Sequence, residues 1–253
     1  MIIKRFKTVF VSDTHIGMRY ANTKAFLKFL KSFDCDTLYL VGNIIDGWSL
    51  KRRWKWNKIN TKIIKEIIDK HTKGTKIIFI PGNHDEFFRK FLDLQLYSKG
   101  MNNFKIVDED IFYSVDGKKY LIIHGDQFDS VMVKQKWLAK IGDIAYDAMF
   151  GLNYILNLIR WLLGKPYWSI AQWSKDTVKG IVNFINKFER LLTNYAKENQ
   201  CDGVICGHIH HAVIKNVNGI KYINCGDWVE SLTAITEDFN GEISILEWDN
   251  QNV

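Results

Sequence analysis

The sequence predicts an α/β protein whose β-rich core is interrupted by one helical excursion. Two observations carry this. Short apolar strands alternate with helically spaced segments through the first third of the chain. Residues 128–200 then lose strand alternation, and apolar residues recur there every three or four positions.

Taken in order, residues 8–12 (TVFVS) predict a strand and 23–33 a helix. Residues 37–42 (TLYLVG) predict a strand, 59–71 a helix and 76–82 (KIIFIPG) a strand, so parallel pairing should dominate. A helix is expected over 86–96, followed by a hairpin of 111–115 and 119–125 around Asp116-Gly117. After the excursion, strands are expected at 203–207, at 211–217 and 220–226 around Asn218-Gly219, at 232–236, and at 242–248 after Asn240-Gly241. The expected organisation is a core of residues 1–127 and 201–253 with a helical cap at 128–200.

Composition narrows the class. The 253 residues are 47% hydrophobic and 14% aromatic, which suits a globular chain with a real core and argues against disorder. The formal charge of +7 favours acidic partners such as phosphates, nucleic acid or anionic lipid. Cys35, Cys201, Cys206 and Cys225 show no CxxC spacing and read as small buried residues of a reduced compartment. The N-terminus enters a strand directly, without a signal-like apolar stretch, so a cytoplasmic location is expected. Residues 148–164 form the most membrane-like segment. Asn153, Asn157 and Arg160 interrupt it, so it is expected to lie in an interface or pack internally instead of spanning a bilayer.

The polar residues that follow the strands point to chemistry. The segments are SDTH (12–15), GNIID (42–46), PGNHDE (81–86), HGDQFD (124–129) and GHIHH (207–211). Ligands of open α/β sheets bind beyond the carboxyl ends of the strands, so these clusters should converge on one rim. His15, His84, His124, His208 and His210, five of the seven histidines, stand in them. His208 and His210 are two apart in a segment that reads as a strand, which would place them on one face. Imidazole, carboxylate and amide oxygen together suit divalent manganese, iron, zinc or cobalt. A pair of such ions can clamp the attacking and leaving oxygens of a phosphoryl displacement. His71 and His211 read as non-ligands, the first closing a surface helix and the second facing away from His210.

These five ordered segments resemble the motif set of the calcineurin-like metallophosphoesterases. The longer strings LVGNIIDGWSLKRRW, PGNHDEF, IIHGDQFD and VICGHIHHA…YINCGDWVES are similar to the branch that hydrolyses UDP-2,3-diacylglucosamine in lipid A biosynthesis. The resemblance implies an αββα sandwich of two packed mixed sheets flanked by helices. It also implies two divalent ions, manganese foremost. One would be held by Asp13, His15 and His210, the other by Asn83, His124 and His208, with residue 43 between them. Water would be the nucleophile, His84 would protonate the leaving oxygen or steady the transition state, and Asp85 would orient His84. Asp46 and Asp126 are expected either to hydrogen-bond ligand histidines or to cap loops.

Two positions depart from the pattern. His84 stands where the lipid A enzymes carry Arg, which leaves the substrate less defined than the reaction. Asn43 stands where the superfamily carries Asp. An amide offers one neutral acceptor and turns its NH2 toward a cation, so weaker binding of at least one ion and a slower reaction are expected. Because the other motifs are intact, a designed Asp-to-Asn change that traps substrate or metal is the favoured reading. A naturally altered or non-catalytic member is the alternative.

The expected substrate contacts are Lys51, Arg52, Arg53 and Trp54, in the basic stretch SLKRRWKWNK after the second motif, together with Lys165. Trp137, Met149, Phe150, Trp161, Leu162, Leu163, Trp168 and Trp173 would give the cap either an apolar groove for acyl chains or a small core of its own. The expected partner is a phosphate-containing small molecule or lipid, with peripheral contact at the inner membrane surface. Nucleic acid is the alternative polyanion.

Overall fold

A computed structural model describes residues 4–92, 103–129 and 170–248, with the backbone alone over 170–179 and at 181. The chain divides into two compact units, residues 1–127 with 192–253, and residues 128–191. In the first unit a six-stranded sheet has the order β11-β10-β1-β2-β3-β4, from β1 (Lys4–Val11), β2 (Phe33–Val41), β3 (Lys76–Ile80), β4 (Phe104–Ile106), β10 (Thr233–Glu237) and β11 (Ile243–Glu247). A five-stranded sheet has the order β5-β6-β7-β9-β8, from β5 (Glu109–Tyr113), β6 (Lys119–Ile123), β7 (Gly203–Cys206), β8 (Val213–Val217) and β9 (Ile220–Asn224). Both sheets are mixed: β1 to β4 run parallel, β10 and β11 antiparallel, and β6, β7 and β9 parallel between antiparallel edges.

Alternation along the strands explains the layering. Phe10, Tyr39, Val41, Ile78 and Ile80 point from the first sheet toward Phe112, Tyr120, Ile122, Ile205 and Ile223 of the second, and together they form the core between the sheets. Their neighbours Val9, Val11, Leu38, Leu40, Ile77 and Phe79 point the other way. They pack under α1 (Thr23–Ser32) and α3 (Lys58–Thr72), with Phe26, Phe29, Ile63 and Ile67 from the helices. Such strands, apolar on both faces, are what a covered parallel sheet requires. A short α2 (Gly47–Arg52) precedes α3. In the second unit, the described residues belong to the long helix α4 (Ile170–Glu198), apart from Phe128 and Asp129; α4 continues into the first unit.

Several boundaries differ from expectation. The strand expected at 37–42 begins at Phe33, because Asp36 pairs with Arg5 and Lys7 across the β1–β2 ladder and Asp34 lies 3.8 Å from Lys70, which offsets their low strand propensity. Within the helix expected over 86–96, residues 86–91 form a 3-10 helix, and 93–96 lie outside the described residues. β4 was not expected, and its three residues pair with β3 alone. His208 and His210 lie in the β7–β8 loop, not in a strand. His71, expected on a surface helix, is buried beside Phe104. All four cysteines are buried thiols.

Candidate metal centre

Five loops leave the carboxyl ends of β1, β2, β3, β6 and β7, and backbone hydrogen bonds lace them together. The amides of Asp13, His15 and Ile16 donate to the carbonyls of Gly42, Asn43 and Ile44, extending the β1–β2 pairing past the strands. Gly47 N–H donates to the His84 carbonyl at 2.9 Å, and Gly207 N–H to the His124 carbonyl at 3.2 Å. Asp13, His15, Asn43, His208 and His210 all have positive φ, five of the eight such non-glycine residues described. This left-handed conformation costs most residues energy but suits Asp, Asn and His best, and such strain gathers at functional sites.

Asp13 is the hub. Its Oδ2 accepts from the His208 amide at 2.8 Å and lies 2.5 Å from Ser12 Oγ. Its Oδ1 accepts from Asn43 Nδ2 at 2.9 Å and lies 3.2 Å from His210 Nε2 and 3.5 Å from His15 Nε2. Burial opposes ionisation of this carboxyl, but His210, His124 and His15 together hold it well below the usual carboxylate range. Burial likewise opposes a charge on His15, yet Asp13 and Asp46 outweigh it and raise His15 to about 9. His124 behaves oppositely. Burial lowers it to about 4, so its ring is neutral, and Nδ1 donates to the Val41 carbonyl at 3.0 Å, leaving the Nε2 lone pair free.

Two glycines pack closely against His124. A Cβ at Gly42, which has φ +76°, would sit 2.2 Å from His124 Nδ1. A Cβ at Gly82 would sit 2.5 Å from Asn43 Oδ1 and 2.6 Å from His124 Nε2. Only glycine lets these backbones approach the cluster.

His15 Nε2, Asn83 Oδ1 and His124 Nε2 are buried without a hydrogen-bond partner. Orphaned buried polar atoms are costly, and imidazole nitrogen and amide oxygen are the atom types that a borderline divalent cation takes. Two acid and histidine groups, Asp13 with His15 and His210, and His15 with Asp46 and His84, each have ligand atoms within 4.8 Å of one another.

Several expected roles move. Asp85 does not touch the His84 ring. Its buried carboxylate accepts from the amides of Asn43, Ile44, Ile45 and Gly82, stapling the second loop to the third. Burial nevertheless pushes this carboxyl up to about 6 against the pull of those amides. The acid beside His84 is Asp46, with Oδ1 3.2 Å from Nδ1. Asp46 Oδ2 lies 3.3 Å from His15 Nδ1, and Oδ1 also caps α2 by accepting from Ser49 N–H. Both alternatives for Asp46 therefore hold at once. Asp126 serves neither, because its carboxylate pairs with Arg89 at 2.9 Å.

Trp48 was not singled out in the sequence. Its ring lies 4.1 Å from that of His84, against the catalytic candidate. The only signal was its place two residues after Asp46, where a capped helix begins. Lys51, Arg52, Arg53 and Trp54 are exposed at the end of α2, with Trp54 stacked on Trp56. Lys165 and the apolar cap positions from Trp137 to Trp168 lie outside the described residues, as does the 148–164 segment, and only the backbone of Trp173 is described. Among the described residues, no helix is long and apolar enough to cross a membrane.

The model of the calcineurin-like phosphoesterase family matches residues 6–212, most of the chain and four complete motif loops with the fifth. The chain belongs to this family. Among curated relatives, this phosphoesterase is 21% identical to the UDP-2,3-diacylglucosamine hydrolase of Neisseria gonorrhoeae, over 89% of this chain and 91% of that protein. It is 26% identical to the protein of that name from Aliivibrio fischeri, over 87% and 90%. It is also 28% identical to the DNA polymerase II small subunit of Methanothermobacter thermautotrophicus, over 95% of this chain but 52% of that protein. The family is metal-dependent, and the buried donor set of this phosphoesterase fits that chemistry.

Proposed function

We propose that this phosphoesterase hydrolyses a phosphoester or pyrophosphate in a UDP-linked or lipid-linked substrate, UDP-2,3-diacylglucosamine being the best specific candidate. The observation that carries the reading is the set of partnerless buried atoms, His15 Nε2, Asn83 Oδ1 and His124 Nε2, gathered at one loop cluster. Two divalent ions, manganese foremost, would be held by Asp13, His15 and His210 on one side and by Asn83, His124 and His208 on the other. Bound there, the ions would supply Lewis-acid stabilisation of the charge on the phosphoryl oxygens.

The chain's own groups do the rest. Asp46 faces His84 Nδ1, which leaves Nε2 as the atom that passes a proton to the leaving oxygen. Trp48 limits the swing of that ring. Asp85 sets the backbone that presents Asn43 and Asn83. Asn43, in place of a carboxylate, leaves one negative charge too few for two ions and lowers the rate. The surplus of +7 charge and the exposed Lys51, Arg52 and Arg53 suit a phosphate-rich substrate and peripheral contact with an anionic membrane face from the cytoplasm.

The second reading is a nuclease-like phosphodiesterase. The stack of exposed Trp54 on half-buried Trp56 beside these basic residues favours it. Turnover of UDP-2,3-diacylglucosamine and of single-stranded DNA, each with manganese, separates the two. Cleavage of the sugar nucleotide alone supports the first. DNA cleavage with affinity falling steeply in salt supports the second.

A further inference from the structure

The side chain of Asn43 has one acceptor face and one donor face, and its neighbours fix the direction of each. The His84 amide donates to Oδ1 at 2.9 Å, so a flipped side chain would set two N–H groups against each other. Nδ2 is thereby turned to Asp13 Oδ1, at 2.9 Å. Oδ1 looks the other way: Asn43 Oδ1 and His124 Nε2 both come within 2.6 Å of the point where a Cβ on Gly82 would stand, so both crowd the same glycine.

The two halves of the centre are therefore unequal. On the Asp13 side, the carboxylate oxygen already takes the Asn43 amide and lies 3.2 Å from His210, and a cation there would face amide hydrogens. On the His124 side, Asn83 Oδ1 and His124 Nε2 are buried without partners, and Asn43 Oδ1 shares the Gly82 backbone with His124 Nε2, whereas the partnerless His15 Nε2 of the other half already lies 3.5 Å from Asp13 Oδ1. A carboxylate at position 43 would have offered an oxygen to both.

We infer that the chain as it stands holds one divalent ion, ligated by Asn43 Oδ1, Asn83, His124 and His208, and that the Asn43 amide takes the place of the second ion beside Asp13. This rests on the metal-centre reading above and adds which half survives. Oxygen and imidazole donors without a thiolate suit manganese, iron or cobalt there.

The test is a manganese count, which needs no turnover. Chelator-stripped protein is titrated with Mn2+ and free ion is read by electron paramagnetic resonance, with circular dichroism to confirm folding. The starting chain should bind about one tight ion, and Asn43→Asp about two. His124→Ala and Asn83→Ala should each lose the tight ion, while His210→Ala should keep it. Using both ligand variants guards against a single misfolded one. Two tight ions in the starting chain, or one that is lost with His210→Ala and kept with His124→Ala, overturns the placement. No tight ion in either the starting chain or Asn43→Asp overturns the metal-centre reading with it.

Discussion

Asp46 stands between two histidines of different purpose, with Oδ2 3.3 Å from His15 Nδ1 and Oδ1 3.2 Å from His84 Nδ1. One carboxylate thus orients a metal-ligand candidate and a proton-donor candidate together. Burial opposes its ionisation, but His15, His84 and the Ser49 amide hold it well below the usual carboxylate range. Asp46→Asn preserves the cap on Ser49 and removes the charge. Metal affinity or turnover should fall about 10–100-fold with the melting temperature little changed. A large melting loss with intact affinity would mean that Asp46 matters only as a cap.

Trp48 positions His84 through ring contact at 4.1 Å. An aromatic contact of this kind contributes on the order of 1 kcal/mol, so Trp48→Ala should lower kcat up to about tenfold. Bound metal should be unaffected, since the structure gives Trp48 no contact with a ligand atom. Steady-state kinetics beside a metal count checks both halves, and Trp48→Phe should recover most of the loss.

Asp85 carries structure more than chemistry. Its carboxylate accepts from four backbone amides and is fully buried. In Asp85→Asn an NH2 group would face some of those donors, at a cost of about 3 kcal/mol. For a chain of this size the melting temperature should fall by about 6–12 °C. A shift below about 2 °C would show that the loops hold without the staple.

Gly82 is a test of closeness. Gly82→Ala drives a methyl to 2.5 Å from Asn43 Oδ1 and 2.6 Å from His124 Nε2, and the buried His124 ring has no room to retreat. The variant should fold, by circular dichroism, and bind manganese at least about tenfold more weakly. Unchanged affinity would move the metal away from His124.

Much of this is legible in the sequence, for identifiable reasons. Each polar cluster follows a run of buried apolar residues, so Asp13, Asn43, Asn83 and His124 announce themselves as loop residues at strand ends. Partners distant in sequence were not legible. Asp126 pairs with Arg89 across 37 positions, and nothing local distinguishes it from a histidine-orienting acid. Asp85 is adjacent to His84, which suggested a partnership, yet the 3-10 turn beginning at Glu86 directs its carboxylate to the loop amides. The left-handed backbone of His208 and His210 hides behind an i, i+2 spacing that reads as a strand. β4 escapes notice because three residues carry too little alternation to register.

The central claim is that the loop cluster is a hydrolytic metal centre limited by the amide at position 43. The most direct test compares manganese-dependent hydrolysis of an aryl phosphodiester and of UDP-2,3-diacylglucosamine by the chain as it stands and by Asn43→Asp. The account predicts that Asn43→Asp turns over one of these at least ~100-fold faster, the scale of losing one electrostatic contact to the transition state. An Asn43→Asp chain that folds, binds manganese and remains as inert as the original would contradict it.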